Sequence, residues 1–319
     1  MPASNLHLVK PPALRPGDTV GIVAPASNLK QADLDAGCAA LRRAGYLPFY
    51  VDSILDRDLY FAGSVERRVH ELEAMFERDE VRAIVCARGG YGANYLLPEL
   101  DLDKIKAHPK TFVGYSDITS LLTYFLDQAG LVTFHGPMVA KDWAHEDGVD
   151  LASWQSALSQ TAPWDVALNQ EVCGLVEGQA DGILYGGCLS ILVASLGTSY
   201  EINTADTILF LEDLAAKPYQ IDRMLMQLKL GGYFDSVRGI VFGQMLDCVQ
   251  SASQDYTLQE VIQRSVGDLG VPVAFGVSSG HVSSQNITLP FGVRAGLTVG
   301  GGKVTLRILE SAVSGQNNF

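Results

Sequence analysis

The sequence predicts an α/β fold in two domains: an N-terminal doubly wound, Rossmann-like parallel sheet, then a mixed α/β domain with a largely β core. In the first half, short apolar runs rich in β-branched residues alternate with stretches of helical periodicity. In the second half, β-like runs outnumber helical ones. The length of 319 residues favours two cores over one. The 47% apolar and 18% charged residues indicate a well-buried globular chain.

The first domain is predicted to span residues 1–152. Its predicted strands are 19–24, 47–51, 83–86, 111–114 and 131–134. Helices are expected over 31–44, ending at Gly45, and from Ser64, a good N-cap residue, to about Arg78. Because the strands alternate with helices, functional loops should gather at the carboxyl ends of the strands.

A linker is expected over 153–170, where periodicity weakens, followed by the second domain at 171–310 and a loose tail at 311–319. The predicted strands of the second domain are 172–177, 182–184, 208–211, 239–242, 273–275, 287–289 and 304–308. Its predicted helices are 189–196, 221–230 and 258–269.

Charge and cysteine usage exclude several classes of partner. The formal charge of −13 and the lack of a basic stripe argue against a nucleic acid or an anionic membrane surface. Five scattered cysteines without C-x-x-C spacing indicate neither a zinc site nor a disulfide framework, and they suit a reducing compartment. The sequence starts without a signal-peptide pattern and has no bilayer-length apolar run, so the expected location is cytoplasmic.

The stretch 111–122, T-F-V-G-Y-S-D-I-T-S-L-L, predicts a strand, a sharp turn and a helix with Ser116 at the turn. Such a turn exposes a serine Oγ and leaves the Asp117 amide at a helix N-terminus, where negative charge is stabilised. Two observations weaken a catalytic interpretation: Ser116 is also a good helix N-cap, and Ile118 replaces the last glycine of G-x-S-x-G.

The third predicted strand runs into Arg88-Gly-Gly-Tyr-Gly92, where the glycines let bare backbone approach a ligand. A plain turn and a phosphate cradle are the alternatives. The two common nucleotide motifs, G-x-x-x-x-G-K-[ST] and G-x-G-x-x-G, are missing, so no nucleotide cofactor is expected. A glycine amide of this loop could instead serve as an oxyanion donor facing Ser116.

Two further strand ends carry ionisable residues. The run 208–211 ends at Glu212, and the run beginning at Val273 leads to His281. Each residue alone has an ordinary interpretation, as a solvated loop acid and a structural histidine. Together with Ser116 they give a serine, an acid and a base, each at the end of a predicted strand.

The sequence resembles the LD-carboxypeptidases, serine peptidase family S66, which also includes the microcin C immunity hydrolases. The matching segments are R-P-G-D from Arg15 with V-G-I-V-A-P-A-S after it, A-R-G-G-Y-G from Ala87, F-V-G-Y-S-D from Phe112, F-H-G-P-M from Phe134, G-G-C-L-S from Gly186, L-E-D from Leu211 and G-H-V-S-S-Q from Gly280. The resemblance implies a Ser116–Glu212–His281 triad. It also implies an oxyanion hole of backbone amides, which we assign to Asp117 and Gly90, and no metal or other cofactor.

The resemblance further implies hydrolysis of the bond between an L-centre and a terminal D-alanine in murein tetrapeptides or muropeptides, during cell-wall recycling. A cation should bind the free carboxylate, and Arg88 and Arg223 are the candidates, with structural ion pairs as the alternative for each. The sequence does not fix the oligomeric state, and a homodimer is compatible with it.

Two other functions stay open. One is an immunity-type amide hydrolase acting on peptidyl-nucleotide antibiotics, for which Trp143, Trp154 and Trp164 could stack a nucleobase, although G-G-C-L-S resembles the carboxypeptidase branch more. The other is a non-catalytic bilobed protein that closes on a small ligand. The order of the triad residue types argues against the second.

Overall fold

The computed structural model describes residues 8–250 and 253–315. The strands are β1 (Thr19–Val23), β2 (Leu47–Phe49), β3 (Val81–Cys86), β4 (Thr111–Gly114), β5 (Thr133–His135), β6 (Trp164–Asp165), β7 (Cys173–Val176), β8 (Gly178–Cys188), β9 (Thr207–Glu212), β10 (Gly239–Gly243), β11 (Val273–Val277), β12 (Leu289–Phe291), β13 (Arg294–Gly300) and β14 (Lys303–Ile308). The α-helices are α1 (Gln31–Arg43), α2 (Val65–Glu77), α3 (Leu102–Ala107), α4 (Thr119–Ala129), α5 (Leu151–Ser159), α6 (Leu189–Ala194), α7 (Pro218–Leu230) and α8 (Leu258–Val266). Short 3-10 turns lie at Asp52–Leu55, Ala93–Leu96 and Ser116–Ile118.

The first compact unit contains the described residues 8–161, Ser284–Gly292 and 311–315. Its sheet has the order β12-β5-β4-β3-β1-β2, in which β1 to β5 are parallel and β12 is antiparallel. The chain moves outward from β1 to β2 and then returns past β1 to β3, so the strand order reverses there. In doubly wound sheets, ligands bind at the carboxyl edge beside this reversal.

Helix α2 shows how the sequence builds this layer. Ser64 caps the helix, as predicted, because its Oγ accepts the Arg67 N–H at 3.2 Å. The helix packs closely on β1 at Gly21, where a Cβ atom would lie 2.4 Å from Met75 Sδ. A glycine in this strand therefore sets the helix-to-sheet distance.

The second compact unit contains 162–283 and 293–310. Its sheet has the order β6-β14-β13-β8-β9-β10-β11-β7, with parallel pairing from β8 to β11 and antiparallel pairing outside. Strands β9, β10 and β11 are buried throughout. The carboxyl ends of these parallel strands share one edge, where Glu212 closes β9. The predicted fold class is confirmed.

The predicted linker is wrong over its first half, because residues 151–159 form the packed helix α5. Trp154 has no exposed surface, and its Nε1 donates to Tyr46 Oη at 3.2 Å. The buried residues of α5 are Trp154, Ala157 and Leu158, spaced at i, i+3 and i+4. The weak apolar pattern in this stretch therefore corresponds to the buried face of a short helix.

Other differences arise from pairing between distant segments. Strand β12, predicted at 287–289 within the second domain, pairs instead with β5 in the first sheet. Strand β13 was not predicted, since its apolar residues alternate with glycine and polar residues. The predicted tail is packed as far as it is described: Ala312 and Val313 are buried, and Ser314 N–H donates to Pro11 O at 2.8 Å. The rest of that prediction, 316–319, lies outside the described residues.

Across 8–250 and 253–315, no helix has the length and apolar character needed to cross a bilayer.

Candidate active site

Ser116 occupies a strained turn between β4 and α4. Its φ of 63° lies in the left-handed region, which a serine adopts at a cost of about 1–2 kcal/mol. The N-cap of the 3-10 turn is Tyr115 rather than Ser116, so the alternative role as a helix cap is not supported. A strained serine between a strand and a helix is the geometry of a nucleophile.

The missing glycine of the G-x-S-x-G pattern has a steric explanation. Ile118 takes that position and is buried, and a Cβ atom on Gly114 would lie 2.7 Å from Ile118 Cγ2. The bare backbone at Gly114, two residues before the serine, therefore makes room for the Ile118 side chain. The turn keeps its sharp geometry with the larger residue after the serine.

The glycine loop 88–92 lies against Ser116 through Gly89. A Cβ atom on Gly89 would lie 2.9 Å from Ser116 Cβ and 3.1 Å from Ser116 Oγ. The sequence did not reveal that Gly89 is the glycine in contact with the serine, because a pattern of glycines does not show which one has a neighbour; the choice of the Gly90 amide as oxyanion donor stays a prediction. Gly90 has a φ of 109°, and its Cβ atom would lie 2.4 Å from Ser27 Oγ.

The predicted oxyanion donors, the amides of Gly90 and Asp117, are in the same unit as Ser116. Gly89 O accepts the Ser27 N–H at 3.3 Å, so the Gly90 N–H of the same trans peptide points away from Ser27. Neither this N–H nor that of Asp117 has a hydrogen-bond acceptor within the part of the chain that the structure describes. Both donors are therefore available to a ligand.

The Asp117 side chain has a role that the sequence did not reveal. The carboxylate is 2% exposed, and Oδ2 accepts the Ala93 N–H at 2.8 Å. Burial raises its pKa, while hydrogen bonds from the Ala93 and Gly92 amides and the charge of Arg68 act in the opposite direction. The Asp117 side chain thus connects the turn that contains Ser116 to the end of the glycine loop.

The second unit holds the predicted acid and base, Glu212 and His281. Glu212 is fully buried, and its Oε2 lies 2.7 Å from His281 Nδ1 and accepts the His281 backbone N–H at 3.0 Å. An ionised Glu212 keeps the proton on Nδ1 and leaves Nε2 to accept one. His281 retains 11% side-chain exposure, so the imidazole is partly accessible.

Two glycines make room for the Glu212 side chain. At Gly280, with a φ of 93°, a Cβ atom would lie 2.6 Å from Glu212 Cδ. At Gly243, on the neighbouring strand, it would lie 2.7 Å from Glu212 Cβ. Gly280, directly before His281, is therefore required because any side chain there would collide with the Glu212 carboxyl group.

Cys188 is not an alternative nucleophile. It lies opposite Glu212 in the β8–β9 register and is buried. Burial, followed by the charges of Glu212 and Asp213, holds the pKa of its thiol well above the ordinary value, so the thiolate is disfavoured. Asp213 accepts the Ser190 and Leu214 N–H groups, each at 2.8 Å, and so fixes the G-G-C-L-S segment.

The two arginine candidates for carboxylate binding are both exposed. Arg88 extends from the glycine loop, and its Nη1 donates to Asn28 O at 3.1 Å. Arg223 lies on α7, 5.5 Å from the centre of the Tyr219 ring. Among residues 8–250 and 253–315, neither arginine forms an ion pair. A structural ion pair, the alternative role considered for each, is therefore not supported.

In the described portion of the chain, no group of three or more His, Cys, Asp and Glu residues is arranged to hold a metal ion.

Comparison with known proteins places both units in one family. The LD-carboxypeptidase N-terminal domain model of peptidase S66 matches residues 20–136, which include Ser116. The LD-carboxypeptidase C-terminal domain model matches 181–297, which include Glu212 and His281. The sequence is 38% identical to the probable murein peptide carboxypeptidase of Bacillus subtilis, covering 90% of this chain and 91% of the relative.

Two other relatives show the range of the family. The microcin C7 self-immunity protein MccF of Escherichia coli is 30% identical, covering 87% of this chain and 90% of its own. The crystal structure of muramoyltetrapeptide carboxypeptidase from Oxalobacter formigenes superposes with a TM-score of 0.81 at 28% identity, over 92% of this chain and 99% of that one. The chain therefore belongs to the LD-carboxypeptidase family, peptidase S66, and is a serine-type peptidase.

Proposed function

We propose that this protein is an LD-carboxypeptidase that releases the terminal D-alanine from murein tetrapeptides in cell-wall recycling. The observation that carries the proposal is the strained Ser116, with two available amides beside it. The similarity to relatives named murein peptide carboxypeptidase and muramoyltetrapeptide carboxypeptidase supports the choice of substrate.

In the proposed mechanism, Ser116, His281 and Glu212 act as a triad. Ser116 Oγ attacks the scissile carbonyl and transfers its proton to His281 Nε2, while Glu212 stabilises the imidazolium. The Gly90 and Asp117 amides donate to the oxyanion. Collapse breaks the C–N bond, and the His281 proton leaves with the amine of D-alanine. Water then hydrolyses the acyl-enzyme with His281 as the base, which restores Ser116.

We assign the terminal carboxylate to Arg88 rather than Arg223. Arg88 directly precedes Gly89, which lies against Ser116, and its guanidinium still has donors beyond the bond to Asn28 O. The planar fork of an arginine suits two carboxylate oxygens. Free cysteines at all five positions agree with a cytoplasmic location, which is part of this proposal.

An immunity-type amide hydrolase is the second candidate, because the similarity to MccF is substantial. Of the tryptophans considered for nucleobase stacking, Trp143 and Trp154 are buried, and Trp164 is half-buried in β6. Tyr60 and Tyr91 are better candidates for stacking, because they are exposed and their ring centres lie 5.9 Å apart. Incubation with an aminoacyl sulfamoyl adenosine would test this activity directly.

Substrate discrimination tests the leading proposal. A tetrapeptide ending in D-alanine should be cleaved with a kcat/KM about a hundredfold or more above that of its amide, its L-alanine epimer or its D-alanyl-D-alanine extension. An amide or an extension leaves the carboxylate-binding cation unpaired, and the L-epimer moves the scissile carbonyl away from Ser116 Oγ. The measurement is release of the terminal residue from each peptide. Comparable cleavage of all four would indicate a general serine amidase.

Chelation provides a second test. We expect full activity after incubation with EDTA and desalting, because the proposed reaction uses a side-chain nucleophile and base. The control is a zinc peptidase treated in parallel, which should lose activity. Loss of D-alanine release here, with recovery on adding zinc, would contradict the serine mechanism.

A further inference from the structure

The backbone of the glycine loop is held by hydrogen bonds at the three peptide groups that follow Gly89, Gly90 and Gly92. Ser27 N–H donates to Gly89 O at 3.3 Å, and Ser27 Oγ accepts the Tyr91 N–H at 3.1 Å. Further along, the Asp117 carboxylate accepts the Ala93 N–H at 2.8 Å. The Gly90 N–H is left free between these contacts, within the described residues, and is the group assigned to the oxyanion.

Arg68 on α2 is buried behind this loop and connects it to the loop after β1. Its side chain has no exposed surface, and Nη1 donates to Pro25 O and to Gly92 O, both at 2.7 Å. The Phe61 ring lies 4.9 Å from the guanidinium carbon. Pro25 begins the segment that carries Ser27. Arg68 therefore binds the glycine loop at Gly92 and also binds the segment whose Ser27 contacts that loop.

Gly92 is therefore held by opposite charges. Arg68 binds its carbonyl, while the Asp117 carboxylate accepts the Ala93 N–H of the same peptide group at 2.8 Å. Gly92 has a φ of 114°, and a Cβ atom there would lie 2.4 Å from Phe61 Cε1 and 3.2 Å from Arg68 Nη1. The third glycine of the loop is thus needed for the Arg68 contact.

We infer that Arg68 and the Asp117 side chain are positioning residues that set the spacing between the two oxyanion donors. The donors come from different loops, so their separation depends on a connection between those loops. Burying two charges is costly, and such groups add little net stability over apolar replacements, which favours a role in geometry. This inference rests on the proposed role of the Gly90 and Asp117 amides.

The test measures the rate at which a fluorophosphonate labels Ser116. In this reaction an Oγ–P bond forms, the P–F bond breaks, and the serine proton leaves through the base with fluoride. The P=O oxygen occupies the position of the oxyanion, so the rate depends on the two amides without requiring a peptide substrate. The proteins are the wild type, Arg68→Lys, Asp117→Asn, Asp117→Ala and the control Lys110→Met.

Lys110 is a matched control because it is also a buried cation bound to two carbonyls, those of Arg78 and Val81. These carbonyls flank the start of β3, at the end of the strand opposite the glycine loop. Lys110→Met should lower thermal stability but leave the labelling rate unchanged. This control separates the effect of removing a buried cation in general from the effect of removing Arg68.

We expect Arg68→Lys and Asp117→Asn to label about 10- to 100-fold more slowly, and Asp117→Ala more slowly still, because donors misplaced by about an ångström lose much of their effect. The pH midpoint of labelling should stay at the wild-type value while the plateau falls, because His281 is untouched. With a tetrapeptide, kcat should fall while KM stays within about twofold.

Wild-type labelling rates in folded Arg68→Lys and Asp117→Asn would overturn the inference. If Arg68→Lys does not fold, Asp117→Asn decides alone, because asparagine keeps the shape of the side chain but removes its charge and so weakens the hydrogen bond from Ala93 without leaving a cavity. If the wild type labels but does not cleave tetrapeptides, the proposed substrate is wrong while the inference still stands on the labelling rates. If the wild type does not label, Ser116 is not the nucleophile and the inference is overturned.

Discussion

Replacing Ser116 with alanine should lower kcat by about 10⁴- to 10⁶-fold, the range found when a serine hydrolase loses its nucleophile. Oγ supplies the bond to the acyl group, and Cys188 cannot serve as a substitute nucleophile, since its thiol is buried with a raised pKa. Folding should be retained, because Ser116 is only partly buried and its side chain does not cap the turn. The measurements are D-alanine release and a denaturation curve.

Ser116→Gly provides a matched comparison. Glycine adopts the φ of 63° without strain, so this variant should unfold about 0.5–1 kcal/mol less readily than Ser116→Ala and yet be equally inactive. Greater stability of Ser116→Gly than of the wild type, together with lost activity, would show that the strain at Ser116 is retained for catalysis. Near-normal turnover by either variant would exclude Ser116 as the nucleophile.

Replacing Glu212 with glutamine should lower kcat by about 10³- to 10⁴-fold, less than the loss of Ser116. The amide can offer an N–H to His281 Nδ1, which favours the tautomer with the proton on Nε2, where the base must accept one. Glu212 Oε2 lies 2.7 Å from His281 Nδ1 and accepts the His281 backbone N–H at 3.0 Å, so the substitution acts directly on the orientation of the imidazole. Steady-state kinetics on the tetrapeptide measures the effect.

Glu201→Gln is the control for this substitution. Glu201 lies in the same unit, is exposed, and accepts the Gly197 N–H and the Tyr233 hydroxyl, each at 3.0 Å. Its amide variant should retain wild-type kinetics. If Glu212→Gln also retains them, His281 is oriented by another group and the acid of the triad has been misassigned.

The sequence by itself determined the fold class and gave the positions of the predicted serine, acid and base. Alternation of apolar runs with helical periodicity is a local property, as is the turn chemistry around Ser116, so both can be read from neighbouring residues. The strand ends carrying Glu212 and His281 were found for the same reason. Glu212 is the last residue of a short buried strand, and His281 follows another such strand by a few residues.

Only the tertiary structure decided which groups meet. Glu212 and His281 are 69 positions apart, and their contact arises because β9 and β11 flank β10 in a parallel sheet. Gly89 was distinguished from Gly90 by the space around its Cα, which depends on a turn elsewhere in the chain. Arg68 gave no signal, since one arginine in a charged helix resembles the others until its carbonyl acceptors are known. Contacts between distant segments leave no local pattern, and they determine which backbone amides remain free beside the predicted nucleophile.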